Sequence, residues 1–437
     1  MLFKDITILD EDLQVREHMY VGTKGDRITY IGTGAPCNAQ RAAGDVDMDR
    51  VVDGKGKLLM SGFYNAHAHS PMTLLRGYGE NLPLSRWLNE RIFPFEDKLT
   101  GPAVYAGTLL AMAESLRYGI VSTTDMYYFP DEMAAAISDS GAKNNFSRSV
   151  TCFDDSDLAD LPAGKEMVHA FETYNGAADG RIKVDMSLHA EYTNPEKIVR
   201  QLAELTSSLG ANMHVHISET KAEHEECKGR HDGRTPVRFL DDCGLFATPT
   251  TAAHCVWIEG EDYDILKERG VTVAVNPISN LKLASGVCNV QALLDKGINV
   301  AIGTDSVSSN NSLNYIEEMK VFAIASKMMY NAPEAVSPID TLRAATIGGA
   351  KSQGRMDCGL LKEGYKADLV MIDIDTPWMY PVHSLATNLV YSASGSDVCM
   401  TMVDGRVLYE DGTYATIDIE KAKAAVTAET EKILAQL

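Results

Sequence analysis

From about residue 59 to residue 357 the chain alternates short apolar, β-branched runs with longer segments of helical period. No other feature restricts the fold as much. The strand-like runs are 120–124, 147–151, 183–188, 212–217, 250–254, 271–275 and 298–302. They follow a first run, Leu58-Leu59-Met60, closed by Ser61-Gly62-Phe63 just ahead of Asn65-Ala66-His67-Ala68-His69-Ser70. Helical patterns between them include 102–118, 194–209 and 316–329. Eight strand–helix units over about 300 residues predict an α/β fold, a (β/α)8 barrel of the TIM type. A doubly wound sheet is the alternative, but no glycine-rich phosphate loop follows the first strand.

The two ends differ from this middle. Residues 2 to 57 and 360 to 415 read as short strands and turns, with Ile6-Thr7-Ile8-Leu9 and Ala367-Asp368-Leu369-Val370-Met371-Ile372 as examples. Chain ends are often close in space. Residues 1–58 and 358–437 are therefore assigned to one small composite β-domain, with 59–357 as the barrel. Ala and Leu at helical spacing predict a terminal helix over 418–437.

A barrel carries its site at the C-terminal ends of its strands. In this chain the first strand ends in His67 and His69, the fourth in His189, the fifth in His216, the sixth in His254 and the eighth in Asp305. At least five of the 11 histidines thus fall at predicted strand ends. His67 and His69, two apart on a strand, face one point. His67, His69, His216 and Asp305 form a plausible set of three imidazoles and one carboxylate, leaving a position for water. His214 shares a face with His216 but lies deeper, and reads as an interior histidine. Glu219, three residues past His216, has the spacing of a proton shuttle beside a metal. A helix-start glutamate is the rival reading, because Thr220-Lys221-Ala222-Glu223 looks helical.

Composition excludes other classes. The net charge is −21, so no basic stripe is available for nucleic-acid phosphates or an anionic membrane surface. The eight cysteines, Cys37 among them, form no Cys-x-x-Cys pair and read as reduced cytosolic thiols. No signal peptide and no apolar stretch of about 18 residues is read. A cytoplasmic protein acting on a small molecule is expected, with no nucleic-acid or membrane partner, as a homo-oligomer (dimer or tetramer).

The string from Asn65 to Gly77, Asn-Ala-His-Ala-His-Ser-Pro-Met-Thr-Leu-Leu-Arg-Gly, resembles the first metal motif of the amidohydrolase superfamily. More narrowly it is similar to the 5-methylthioadenosine/S-adenosylhomocysteine deaminase branch. Further matching stretches are Leu84-Ser85-Arg86-Trp87-Leu88, Phe93-Pro94-Phe95-Glu96, His216-Ile217-Ser218-Glu219-Thr220, His254-Cys255, Asn276 to Leu283, Gly303-Thr304-Asp305-Ser306 and Gly364 to Leu369. The resemblance implies a distorted barrel with the β-rich ends forming a small sandwich. It also implies one divalent metal ion per chain, zinc favoured over iron, held by His67, His69, His216 and Asp305. Glu219 becomes the proton shuttle and His254 the group that orients the nucleophile. Glu96, Arg148 and His189 match substrate-binding positions, and Trp87 a pocket wall. Binuclear relatives carry a carbamylated lysine at the end of strand four. Here that end carries His189, and Lys183 stands at the other end.

One departure bears on substrate. Some members place a second arginine about a dozen residues after Arg148, to grip a substrate carboxylate. This chain has none between Arg148 and Arg181, but has Asp154, Asp155, Asp157 and Asp160. The expected activity is hydrolytic deamination of an adenosine-type nucleoside, with Glu219, His254 and Asp305 catalytic. Glu219 and Asp305 also contact the substrate. Deamination of another amino-heterocycle, a chlorohydrolase on the same site, and a non-catalytic metal-binding scaffold are the alternatives.

Overall fold

The computed structural model describes residues 1–36 and 46–437; Cys37 lies outside them. Eight parallel strands form the barrel. In chain order they are Phe63–Ala68, Ile120–Met126, a third in two pieces, a fourth in two pieces, Met213–Ile217, Thr250–His254, Thr272–Val275 and Asn299–Ile302. The third is Lys143–Ser147 plus Ser149–Val150, broken at Arg148; the fourth is Ile182–Val184 plus Met186–Leu188, broken at Asp185. These two breaks distort the barrel. The early pieces pair with the first two strands, and the late pieces pair with the last four. An Ala68–Asp305 bridge joins the first strand to the eighth, with both Thr304 and Asp305 donating backbone N–H bonds to the His67 carbonyl. The second strand is buried at all seven positions, as a parallel strand covered on both faces must be.

Helices cover the barrel where the sequence caps them. Thr100 accepts from the Ala103 amide to start Gly101–Arg117. Gly210, left-handed at φ 62°, ends Glu196–Leu209. Tyr315–Tyr330 follows the eighth strand, and Ile419–Leu434, capped by Asp418, packs on Gly101–Arg117.

Strands from both chain ends make one nine-stranded sheet, in which Lys57–Ser61 lies between Leu2–Leu9 and Leu369–Asp373. The sheet curls until its edge returns: Ile28 N–H donates to Tyr365 O and Ala367 N–H to Asp26 O. It thereby encloses a small core of its own, which includes Phe3, Ile6, Ile8, Leu59, Leu369 and Met400.

Two strand expectations are corrected. Leu58-Leu59-Met60 is not the first barrel strand; it pairs with the C-terminal segment, Met60 opposite Val370. The barrel begins at Phe63, after Gly62, where a Cβ would stand 2.3 Å from a Val121 methyl. An apolar run reads alike in either sheet. The third barrel strand starts at Lys143, four residues before the predicted start. Lys143, Asn144 and Asn145 hide it, because buried polar residues break the apolar signal. No helix among the described residues is long and apolar enough to cross a membrane.

Candidate active site

The barrel brings His67, His69, His216, His254, Glu219 and Asp305 together at the C-terminal ends of strands one, five, six and eight. His67 and His69 ring centroids are 4.9 Å apart, as are those of His67 and His216. His69 Nε2 is 3.3 Å and His67 Nε2 3.5 Å from the same Asp305 oxygen. Two sets of donor atoms lie within metal-chelating reach, one from His67, His216 and His254 and one from His67, His69 and Asp305. They share His67.

Each imidazole is oriented through its other nitrogen. His69 Nδ1 lies 2.6 Å from the Met126 carbonyl and His216 Nδ1 2.7 Å from the His189 carbonyl. A carbonyl only accepts, so both Nδ1 atoms carry a proton and both Nε2 atoms are the ones turned toward the donor set. His67 Nδ1 contacts His214 Nε2 at 2.8 Å, and His254 Nδ1 contacts Asn280 Oδ1 at 2.8 Å. Asp305 is held by the hydroxyls of Ser279 (2.5 Å) and Ser309 (3.1 Å) and by the Ser306 amide (2.8 Å).

The donor set fits one divalent cation. His67 Nε2 is fully buried with no hydrogen-bond partner, a cost that a bound ion removes. Burial lowers the His67 imidazole to about 4 and drives His216 well below its ordinary range, so both are neutral and ready to ligate. Burial opposes charge on His69 too, but its hydrogen bond to Asp305 outweighs this and raises it to about 9. Burial likewise opposes charge on Asp305, yet the neighbouring His67 and His69 imidazoles hold the carboxyl well below the usual range. A cation bound beside Asp305 would displace that proton and leave the His69 Nε2 lone pair to ligate. A second chelating group, Glu191, Cys227 and His231, is already satisfied, since Glu191 pairs with Arg230 and His231 at 2.7 Å each.

Glu219 Oε2 stands 3.8 Å from His254 Nε2, while Ser285 donates to the other oxygen at 3.2 Å. Burial raises its pKa. The rival helix-start role falls to Glu223. That carboxylate accepts the Ser218 and Glu219 amides at 2.8 Å and closes a capping box with Thr220. Ser218, His254, Cys255 and Asp305 all have left-handed backbone (φ 47°, 73°, 48° and 58°). Strain of this kind concentrates where side chains must be aimed.

Above the donor set opens a cavity of about 400 Å³, onto which Trp87, Glu96, His189, Glu219, His254 and Asp305 all face. Burial pushes Glu96 up to about 7 and lowers His189 to about 4. Arg148 does not line the cavity. Its Nε donates to Glu166 at 2.6 Å and its guanidinium stacks on Tyr128. Tyr127, Tyr128, Tyr192 and Phe153, which no sequence motif marks, also line it. The first two lie just beyond the second strand, which runs to Met126 and was read as ending at Thr124. Asn276, Ser279 and Asn280 sat in a matched stretch without an assigned role.

Residues 58–408 match the amidohydrolase family. A 5-methylthioadenosine/S-adenosylhomocysteine deaminase of Thermoanaerobacter pseudethanolicus is 39% identical over 441 aligned residues, covering 99% of each chain. A 5'-deoxyadenosine deaminase of Methanosarcina mazei is 40% identical over 391 residues, 89% of each chain. The crystal structure of an adenosine deaminase from Xanthomonas campestris with bound zinc superposes with a TM-score of 0.91 at 30% identity, covering 99% of this chain and 98% of that one. With a family match across the barrel and relatives near 40% identity along almost its whole length, this chain belongs to the amidohydrolase family.

Proposed function

We propose that this protein is a metal-dependent deaminase, a hydrolase that cleaves the exocyclic C–N bond of an adenosine-type nucleoside and releases ammonia. One observation carries the reading: imidazole nitrogens and a carboxylate converge on one point beside a buried Glu219, at the base of a cavity with Glu96 on its wall. The names of the relatives supply the substrate class. His67, His69, His216 and Asp305 would hold one divalent ion. Zinc is favoured over iron, because imidazole and carboxylate suit it and the zinc-bound structure is similar. A bound ion supplies Lewis-acid chemistry that makes water a nucleophile near neutral pH.

The chain's own groups handle the protons. Asp305, ionised and held by three donors, accepts a proton from the attacking water. Glu219, whose raised pKa keeps a proton within reach, delivers one to the ring nitrogen next to the carbon under attack. His254 Nε2, on the other side of Glu219, orients the nucleophile. Asp305 then passes the proton it took from water to the amino group, the new hydroxyl gives its proton to Glu219, and ammonia leaves as the C–N bond breaks and the carbonyl forms. Glu96 accepts two hydrogen bonds from the ribose diol, and Trp87 and His189 pack against the base or sugar. Arg148 acts from outside the cavity wall.

The same reading divides the chain into a catalytic barrel and an end-built β-domain, with the first boundary moved from 58/59 to Gly62, because Lys57–Ser61 belongs to the end sheet, and the second near 357/358. It places the protein in the cytoplasm as a homo-oligomer, dimer or tetramer. The charge of −21 supports small-molecule work without nucleic acid.

Ammonia release from adenosine, 5'-deoxyadenosine, 5-methylthioadenosine, adenine, guanine and cytosine tests the assignment. Nucleosides should exceed free bases by tenfold or more, since a base alone leaves Glu96 unpaired at about 1–3 kcal/mol. A free base as best substrate would make this a base deaminase.

A further inference from the structure

The cavity wall holds four carboxylates, Glu96, Asp97, Glu219 and Asp305, and no lysine or arginine among the described residues. Arg148 borders it without entering. Its Nε donates to Glu166 Oε2 at 2.6 Å, and one terminal nitrogen donates to the Ser149 carbonyl at 2.5 Å. Its guanidinium carbon lies 4.5 Å from the centroid of Tyr128, a ring that does line the cavity. The Arg148 side chain is 13% exposed and the Glu166 side chain 44% exposed. Arg148 is therefore paired, stacked and mostly covered.

Leu84, Leu88, Ile92, Phe93 and Leu283 give the same cavity an apolar lining beside these acids. Phe153 completes it at the mouth. This ring is 81% exposed, yet it lines the cavity. An exposed aromatic at a cavity edge offers apolar area to whatever reaches out of the cavity. Asp154 and Asp155 follow it directly.

We propose that Glu166 sets the substrate range by neutralising Arg148, so that the site favours nucleosides with neutral, apolar 5' substituents over those ending in a carboxylate. The proposal rests on the deaminase reading above and narrows it. A carboxylate arm would meet a wall lined by acidic side chains and find Arg148 already engaged by Glu166. A methyl or methylthio arm would lie against Phe153 and the leucines. Glu166 is a positioning residue, acting only through Arg148.

The test compares kcat/KM for 5'-deoxyadenosine, 5-methylthioadenosine and S-adenosylhomocysteine in the native protein, Glu166→Gln and Phe153→Ala. Glu166 is half exposed on the helix Pro162–Tyr174, so its replacement leaves the fold intact. The native protein should favour the two neutral nucleosides by about tenfold, the worth of one charge-assisted contact. Glu166→Gln should raise S-adenosylhomocysteine several-fold and leave the other two within about twofold, a change of ratio that general destabilisation does not produce. Phe153→Ala should raise KM more for 5-methylthioadenosine than for 5'-deoxyadenosine. S-adenosylhomocysteine as the best native substrate, or equal effects of Glu166→Gln on all three, would overturn the proposal while leaving the deaminase assignment standing. No ammonia from any of the three would overturn both.

Discussion

At the scale of single residues, the chemistry depends on two buried carboxyls whose protons are placed by their surroundings. Glu219 touches Ser285 and faces His254, and none of the metal-chelating sets includes it. Glu219→Gln should therefore keep its metal while turnover falls by roughly 10² or more. Metal analysis beside steady-state rates checks this, and loss of metal would make Glu219 a ligand. Glu96 is pushed up to about 7 by burial, and in its proposed role it accepts both ribose hydroxyls best when ionised. kcat/KM should fall as pH drops below about 7, and a bound cation nearby moves that limb lower by favouring the carboxylate. Glu96→Gln should remove the limb; an unchanged profile would take Glu96 out of substrate binding.

At the scale of elements, the strand ends are aimed by close packing. Gly303 follows the eighth strand, and a Cβ there would stand 2.2 Å from Asn276 Oδ1 and 2.8 Å from His67 Cβ. Gly303→Ala should weaken metal affinity by about 10–100-fold through the shifted His67, as loss of a supporting contact does. Dialysis against a chelator, with metal analysis, reads it. Glu318 ties the helix Tyr315–Tyr330 to the turn bearing Ser279 and Asn280, accepting from the Ile278 amide at 2.9 Å and Asn310 at 2.8 Å. Burial raises it to about 8, against 4.5 in an ordinary carboxyl. The folded state thus keeps a proton that the unfolded chain releases. The stability this contributes is complete below pH 4.5 and is lost as pH rises through 8. Glu318→Gln should flatten the fall of Tm between about pH 5 and pH 8; an equal slope in both proteins would contradict this.

The elements also show what a sequence exposes. Strands with alternating or continuous apolar residues, such as Met213–Ile217 and Thr272–Val275, were legible because burial on both faces selects them. Lys143–Ser147 was not, since its polar residues are satisfied by partners far away in sequence, as Lys143 is by Asp368. The Leu58–Met60 run could be recognised as a strand but not assigned to a sheet, because its partner begins at Leu369.

At the scale of the whole molecule, barrel and end sheet are locked by a buried charge cluster. Lys143 of the third barrel strand pairs with Asp368 and, at 2.7 Å, with Asp404, while Tyr64 donates to Asp368 at 2.8 Å. Lys143→Met leaves the buried Asp368 without its cation and should cost about 3–5 kcal/mol, read from denaturant unfolding. Of the site, His67, His69, His216, His254 and Asp305 stood out in the sequence because they end strands, and folding brings those ends together. The second-strand tyrosines and the Glu166–Arg148 pair did not stand out. Their roles depend on a strand boundary and on a contact between a strand break and a helix, neither of which is marked by residue type.

The measurement that bears most directly on this account is a metal titration. Protein stripped by a chelator is given zinc in steps, and ammonia release from 5'-deoxyadenosine is followed. Activity should be absent at the start and rise linearly to a plateau at about one equivalent per chain. Full activity in the stripped protein, or no ammonia at any zinc level, would contradict it.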